Sequence, residues 1–197
     1  FNINDRCGST HPEQLQKRVL AEKADLGIAL DGDGDRVLLV DGKGEVLDGD
    51  QLLYIIAVAR QKNGRLHGGV VGTLMTNLGL EQALGQMGIG FKRANVGDRY
   101  VMAELMQQNW EVGGETSGHI ICLDKSTTGD AIIAALEVLA VVRQTGKSLA
   151  ELKAGMQIFP QTMINVRMSK RFDLKASSPV QSALKQVETE LASNGRV

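Results

Sequence analysis

The sequence predicts an α/β fold, and three observations carry that reading. Across residues 45–158, apolar runs of strand length alternate with longer helix-like stretches. Turn and cap signals fall at the junctions between them. The composition, 43% hydrophobic and 23% charged in 197 residues, leaves room for a core and argues against disorder or a fibrous repeat. Glycine is abundant, at 23 residues, which points to tight turns or to loops where backbone approaches a ligand.

The elements follow in order. Thr10 and Glu13 have capping-box spacing, so a helix is expected over residues 10–23. The run 26–30 reads as a strand, as does 37–40, with a turn at 41–44. A strongly apolar helix is expected over 50–61, then a strand at 70–75 and a helix at 78–87. Residues 89–93 read as a strand and 98–108 as a helix. Short strands at 111–114 and 120–123 flank the loop 115–119, and a long helix spans 130–144. Ser148 and Glu151 form a second capping box. Residues 162–168 alternate apolar and polar side chains, as a half-exposed strand would, and 170–175 reads as a charged loop. Ser178-Pro179, with Gln181 at capping-box distance, opens a last helix that closes near Asn194-Gly195.

Neither end of the chain has enough elements to close a core. The expected division is therefore 1–44, 45–158 and 159–197: one complete mixed-sheet α/β domain flanked by partial α/β domains. The chain opens on Phe1 with no charged-then-apolar leader, so a processed chain or a piece of a longer one is expected. A net charge of −1 argues against a nucleic-acid-coating or membrane-surface protein. No apolar run approaches the roughly 20 residues of a membrane span. Cys7 and Cys122 match no metal-ligand spacing and read as small structural residues of a reducing compartment.

The sharpest feature is Asp31-Gly32-Asp33-Gly34-Asp35-Arg36. Three carboxylates at alternate positions repel one another, and a divalent cation relieves that most simply; hard oxygen ligands select Mg²⁺ or Ca²⁺. An EF-hand starting at Asp31 would need Gly and Glu where this chain has Arg36 and Gly42, so that reading fails. A guanidinium beside such a triad suits a phosphate, which makes Arg36 a candidate. In Gly113-Gly114-Glu115-Thr116-Ser117-Gly118-His119, Glu115 and Ser117 can hydrogen-bond vicinal hydroxyls, as sugars require; His119 reads either as a structural histidine or as a site residue. Asp98 and Arg99, in Val96-Gly97-Asp98-Arg99-Tyr100, read as an N-cap and a solvated residue, or as substrate contacts. Asp130 reads as an N-cap.

Together these motifs resemble the α-D-phosphohexomutases. The resemblance rests on Gly27-Ile28-Ala29-Leu30-Asp31-Gly32-Asp33-Gly34-Asp35-Arg36, on Val96-Gly97-Asp98-Arg99-Tyr100-Val101 and on Gly114-Glu115-Thr116-Ser117-Gly118-His119. Asp124-Lys125-Ser126-Thr127-Thr128-Gly129-Asp130 and Cys7-Gly8-Ser9-Thr10-His11-Pro12-Glu13 are most similar to the bacterial phosphoglucosamine branch. The resemblance implies a cytoplasmic, four-domain isomerase that interconverts glucosamine 6-phosphate and glucosamine 1-phosphate for amino-sugar nucleotide and cell-wall precursors. It implies an enzyme phosphoserine and a bisphosphate intermediate, Mg²⁺ on Asp31, Asp33 and Asp35, and Arg36 as the catalytic cation. Glu115, Ser117, His119, Asp98 and Arg99 would meet the phosphosugar. A homodimer of the full-length enzyme is compatible with it; nucleic acid and membrane are not expected partners. No Ser-His-Asn-Pro-like loop occurs in the sequence, so residues 1–197 alone are expected to be inactive. The alternatives are a phosphomannomutase/phosphoglucomutase, or a non-catalytic metal- or sugar-binding module.

Overall fold

The computed structural model describes residues 2–168 and 173–197, in two compact units, Phe1–Gln157 and Ile158–Val197. The first unit opens with helix α1 (Glu13–Glu22), whose N-cap is Pro12 rather than Thr10. Proline fixes φ and supplies no N–H, so the helix begins just after it. The expected Thr10 cap is thus corrected: Thr10 Oγ1 lies 3.1 Å from His11 Nδ1 instead. Strands β1 (Leu26–Leu30), β2 (Val37–Asp41) and β3 (Val46–Leu47) make an antiparallel sheet in that order. The two-residue β3, too short to show periodicity, was not expected.

Helix α2 (Gly49–Lys62) starts on a complete capping box, Asp48 with Gln51. It runs through the interior, so Leu52, Leu53, Ile55 and Ile56 are all buried, each contributing roughly 2 kcal/mol of transfer free energy. Around it a second sheet holds β4 (Val70–Thr73), β5 (Phe91–Ala94), β6 (Val112–Gly114) and β7 (Ile120–Cys122) in the order β5-β4-β6-β7. It is mixed: β4 is parallel to β5 and β6, and β7 runs antiparallel to β6. Helices α3 (Leu78–Gln86) and α4 (Asp98–Gln108) make the crossovers, and α5 (Ala131–Thr145) and α6 (Leu149–Lys153) complete the unit.

Side chains alternate across a strand. Val70, Val112, Ile120 and Cys122 accordingly join the large core with α2, α3 and α5, while Val71, Ala94 and Ile121 pack with Val101 and Leu105 of α4. A sheet covered on both faces reads as an apolar run rather than an alternation, which is why 70–73 was legible. Strand β5 begins later than residue 89 because the Ile89 N–H is spent on Leu84 O at the end of α3.

In the second unit, helix α7 (Ser178–Leu191) follows the expected Ser178-Pro179 start, but its N-cap is Ser177 with no side-chain cap bond. Gln181 donates to Leu174 O rather than closing a capping box. The expected strand at 162–168 does not form: those residues have no ladder partner among the described residues, and Met163, Ile164, Val166 and Met168 are exposed. Alternation prepares a face, but a strand also needs a neighbouring backbone, and the other described residues of this unit form no strand. Of the expected charged loop, 169–172 lie outside the described residues. Among the described residues no helix is long and apolar enough to cross a membrane.

Candidate functional site

Leu30 pairs with Val37 at the end of the β1–β2 ladder, so residues 31–36 must close a hairpin. Asp31 organises it. Its Oδ1 accepts the N–H groups of Gly34 (3.1 Å), Asp35 (3.2 Å) and Arg36 (3.1 Å). Burial alone would raise the Asp31 carboxyl. The Arg36 amide, the Asp35 side chain and amide, and the Arg36 guanidinium outweigh it and hold the group below the usual carboxylate range. One ligand atom each of Asp31, Asp33 and Asp35 then lies within 4.8 Å of the others.

The donor set fits a hard divalent cation. All three donors are carboxylate oxygens, and Asp35 Oδ1 is buried with no hydrogen-bond partner among the described residues. Asp35 Oδ2 is 3.0 Å from His119 Nδ1. Arg36 stands at the rim, its Nε 3.9 Å from Asp31 Oδ2 and its side chain 47% exposed.

Three contacts fix the hairpin from behind. Val37 N donates to Gly118 O (3.1 Å), Ala131 N at the start of α5 donates to Gly34 O (3.0 Å), and Arg36 bridges His119. Gly118 has φ +94°, and a Cβ there would overlap Val37 O; only glycine allows this approach.

The loop 115–119 is itself a hairpin turn, between β6 and β7. Glu115 N donates to His119 O (3.0 Å) and Gly118 N to Glu115 O (2.9 Å). Glu115 is half-buried and Ser117 exposed. Glu115 Oε1 accepts Gly97 N at 2.9 Å, which ties the loop to the segment ahead of α4. His119 is 4% exposed, faces Asp35, and has a buried, unpartnered Nε2 among the described residues.

Asp98 and Arg99 are exposed and follow Gly97, whose N–H bonds Glu115. Gly97, not Asp98, is the N-cap of α4; Asp98 Oδ1 accepts the N–H of Arg99. Arg99 donates to the Tyr100 hydroxyl and lies 4.6 Å over its ring. Asp130 is the N-cap of α5, as expected, accepting from Ile132 N and Ile133 N. Cys7 is exposed rather than packed. Cys122 is buried, and burial pushes its thiol up to about 12.

One further residue, Asp50, carries no sequence signal of a role at the site. It is fully buried in the first turn of α2, where an acidic residue reads as an ordinary complement to the helix dipole. Its Oδ2 accepts Asn77 N and Thr116 Oγ1, each at 2.8 Å.

Residues 48–159 match the family described as phosphoglucomutase/phosphomannomutase, alpha/beta/alpha domain III. Over its whole length the chain is 58% identical to the phosphoglucosamine mutase of Hahella chejuensis, of which it spans 44%. It is 57% identical to that of Methylococcus capsulatus, again spanning 44%. Among solved structures, the N-acetylphosphoglucosamine mutase of Aspergillus fumigatus, in complex with GlcNAc-6P and magnesium, shares the fold. The TM-score is 0.73 at 21% identity, over 94% of this chain and 45% of that one.

Proposed function

The chain belongs to the phosphoglucomutase/phosphomannomutase family, and on that premise we propose that the protein carrying it is a phosphoglucosamine mutase, acting on glucosamine 6-phosphate and glucosamine 1-phosphate. The observation that carries the reading is the convergence of Asp31, Asp33 and Asp35 within 4.8 Å, on a hairpin clamped to the Glu115–Ser117 loop through Gly118 and His119. Likeness along the whole chain to phosphoglucosamine mutases supports the amino-sugar branch.

In this reading residues 1–44 end a second domain, 45–158 form a third and 159–197 open a fourth. The three aspartates hold Mg²⁺, which when bound supplies positive charge to a transferring phosphoryl group. Phosphoryl transfer depends on positioning and charge neutralisation more than on covalent chemistry from side chains. Asp31, tied down by three N–H groups, orients one ligand oxygen; His119 holds Asp35; and Arg36, with its exposed guanidinium, contacts phosphate oxygens at the rim. Glu115 and Ser117 bind sugar hydroxyls, with Asp98 and Arg99 at the outer edge of the substrate. The phosphoryl donor is a phosphoserine outside residues 1–197. Its phosphoryl passes to the sugar phosphate to give a bisphosphate, which turns and returns the other phosphoryl to the serine. Residues 1–197 alone therefore bind without turnover. The setting is the cytoplasm, ahead of amino-sugar nucleotide synthesis.

The test is a substrate panel on the whole protein, with glucosamine, glucose and mannose phosphates in Mg²⁺ and in excess chelator. Mg²⁺-dependent preference for the glucosamine phosphates is expected. Preference for glucose or mannose phosphates would move the protein to the phosphomannomutase/phosphoglucomutase branch, and absence of turnover on all three would overturn the mutase reading.

A further inference from the structure

We propose that Asp50 is a positioning residue for the candidate sugar loop, holding Thr116 so that its neighbours Glu115 and Ser117 face the substrate. The first turn of α2 grips Thr116 at two points. Gly49 N donates to Thr116 O (3.0 Å), and Asp50 Oδ2 accepts Thr116 Oγ1 (2.8 Å). The approach is close: a Cβ on Gly49 would overlap Glu115 O. The same Asp50 oxygen takes Asn77 N, so one carboxylate ties together α2, the start of α3 and the loop.

Three features set Asp50 apart from a helix-capping acid. It is 0% exposed. The helix is capped by Asp48, not by Asp50. Its Oδ1 is buried and has no partner among the described residues. A buried acceptor of two donors forms strong, charge-assisted bonds, whereas an exposed acid in a first turn does little beyond complementing the dipole. Thr116 with its hydrogen bond turned inward leaves Glu115 free to reach Gly97 N and Ser117 exposed. Asp50 is fully buried and bonds the loop through the Thr116 hydroxyl, so its influence on substrate passes through Thr116.

The kinetic part of the test rests on the hexosamine-phosphate reading; the exchange part does not. In the whole protein carrying this sequence, Asp50→Ala and Thr116→Val should accelerate amide hydrogen exchange in peptides spanning 113–120 by about tenfold, the worth of one such bond. Peptides over β4 should keep their protection. Asp50→Asn, which retains an acceptor oxygen, and Thr116→Ser, which retains the hydroxyl, should stay within about threefold of the parent. In loop exchange the double variant should match the single ones, because each removes the same Asp50–Thr116 bond, and the further loss of the Asn77 N bond in Asp50→Ala falls on the start of α3. With glucosamine 6-phosphate, KM should rise about tenfold in the Ala and Val variants with kcat nearly unchanged, as loss of uniform binding requires, and recover in the Asn and Ser variants.

Unchanged loop exchange in Thr116→Val, additive effects in the double variant, or acceleration confined to residues 77–80 in Asp50→Ala would overturn the proposal. The last pattern would make Asp50 a pin for α3 alone. If the parent turns over no hexose phosphate while the exchange pattern appears as described, the positioning role stands and the mutase reading falls.

Discussion

Burying a carboxylate has a consequence that can be measured far from any activity assay. Desolvation is the main force raising the Asp50 carboxyl, and the Asp48 charge adds to it; the Asn77 amide and the Thr116 and Thr76 hydroxyls pull the other way. The balance takes the group from 3.8 to about 6. The folded protein therefore binds this proton more tightly than the unfolded chain does. The stability from the neutral form is complete below the unfolded value and is lost as pH rises through about 6. The gap corresponds to about 3 kcal/mol. Asparagine has nearly the same shape and does not titrate, so Asp50→Asn removes this dependence. Urea denaturation of the parent and the variant, followed by circular dichroism between about pH 4 and pH 7, isolates it, since every other titration is common to both. Because part of the change lies below pH 4, the stability of the parent relative to the variant should fall by roughly 2–2.5 kcal/mol across that window. A difference that stays constant within ~0.5 kcal/mol would show that Asp50 is not a desolvated carboxyl, and the account of its burial would fail.

Other outcomes follow from the remaining contacts. Asp33→Ala should abolish Mg²⁺-dependent turnover and Mg²⁺ binding by calorimetry while changing stability by no more than ~0.5 kcal/mol, because Asp33 is exposed; normal activity at limiting Mg²⁺ would refute the ligand assignment. His119→Phe should weaken Mg²⁺ binding by roughly 10–100-fold, the usual effect of losing the group that orients a ligand; unchanged affinity would leave the histidine a packing residue. Glu115→Ala should raise KM for hexose phosphates and leave Mg²⁺ affinity intact, which a substrate panel and calorimetry would separate. Arg60 is buried and bonded to both Asp124 and Glu137, while Asp124 also pairs with Lys125; Arg60→Met should therefore cost about 1–2 kcal/mol in urea denaturation, chiefly by leaving the half-buried Glu137 without its cation.

What could be read from the sequence was what neighbouring residues decide among themselves. The acidic hairpin announced itself because glycines alternate with carboxylates between two strand-length apolar runs, so its convergence is a local matter. The Asp130 cap and the Ser148–Glu151 box were legible for the same reason, each closing within three residues. The Thr10 cap failed by a similarly local effect, the fixed φ of Pro12. The strand expected at 162–168 failed because pairing needs a second backbone, which alternation in one segment cannot supply. His119 was ambiguous because its partner, Asp35, lies 84 positions away, and only the docking of the β6–β7 turn on the acidic hairpin brings them together.

Asp50 was invisible for the strongest reason. An acid in a first helical turn has an adequate local explanation, and nothing in the sequence asks for another. Its meaning appears only when α2 is buried on all sides and its first turn meets Thr116 and Asn77 from two other elements. Local signals thus marked the candidate metal and sugar residues, while the buried acid that bonds one of those loops became legible only through tertiary packing. Substitutions chosen from motifs alone would test the contacts and miss the support, and Asp50→Ala beside Thr116→Val is the pair that separates the two.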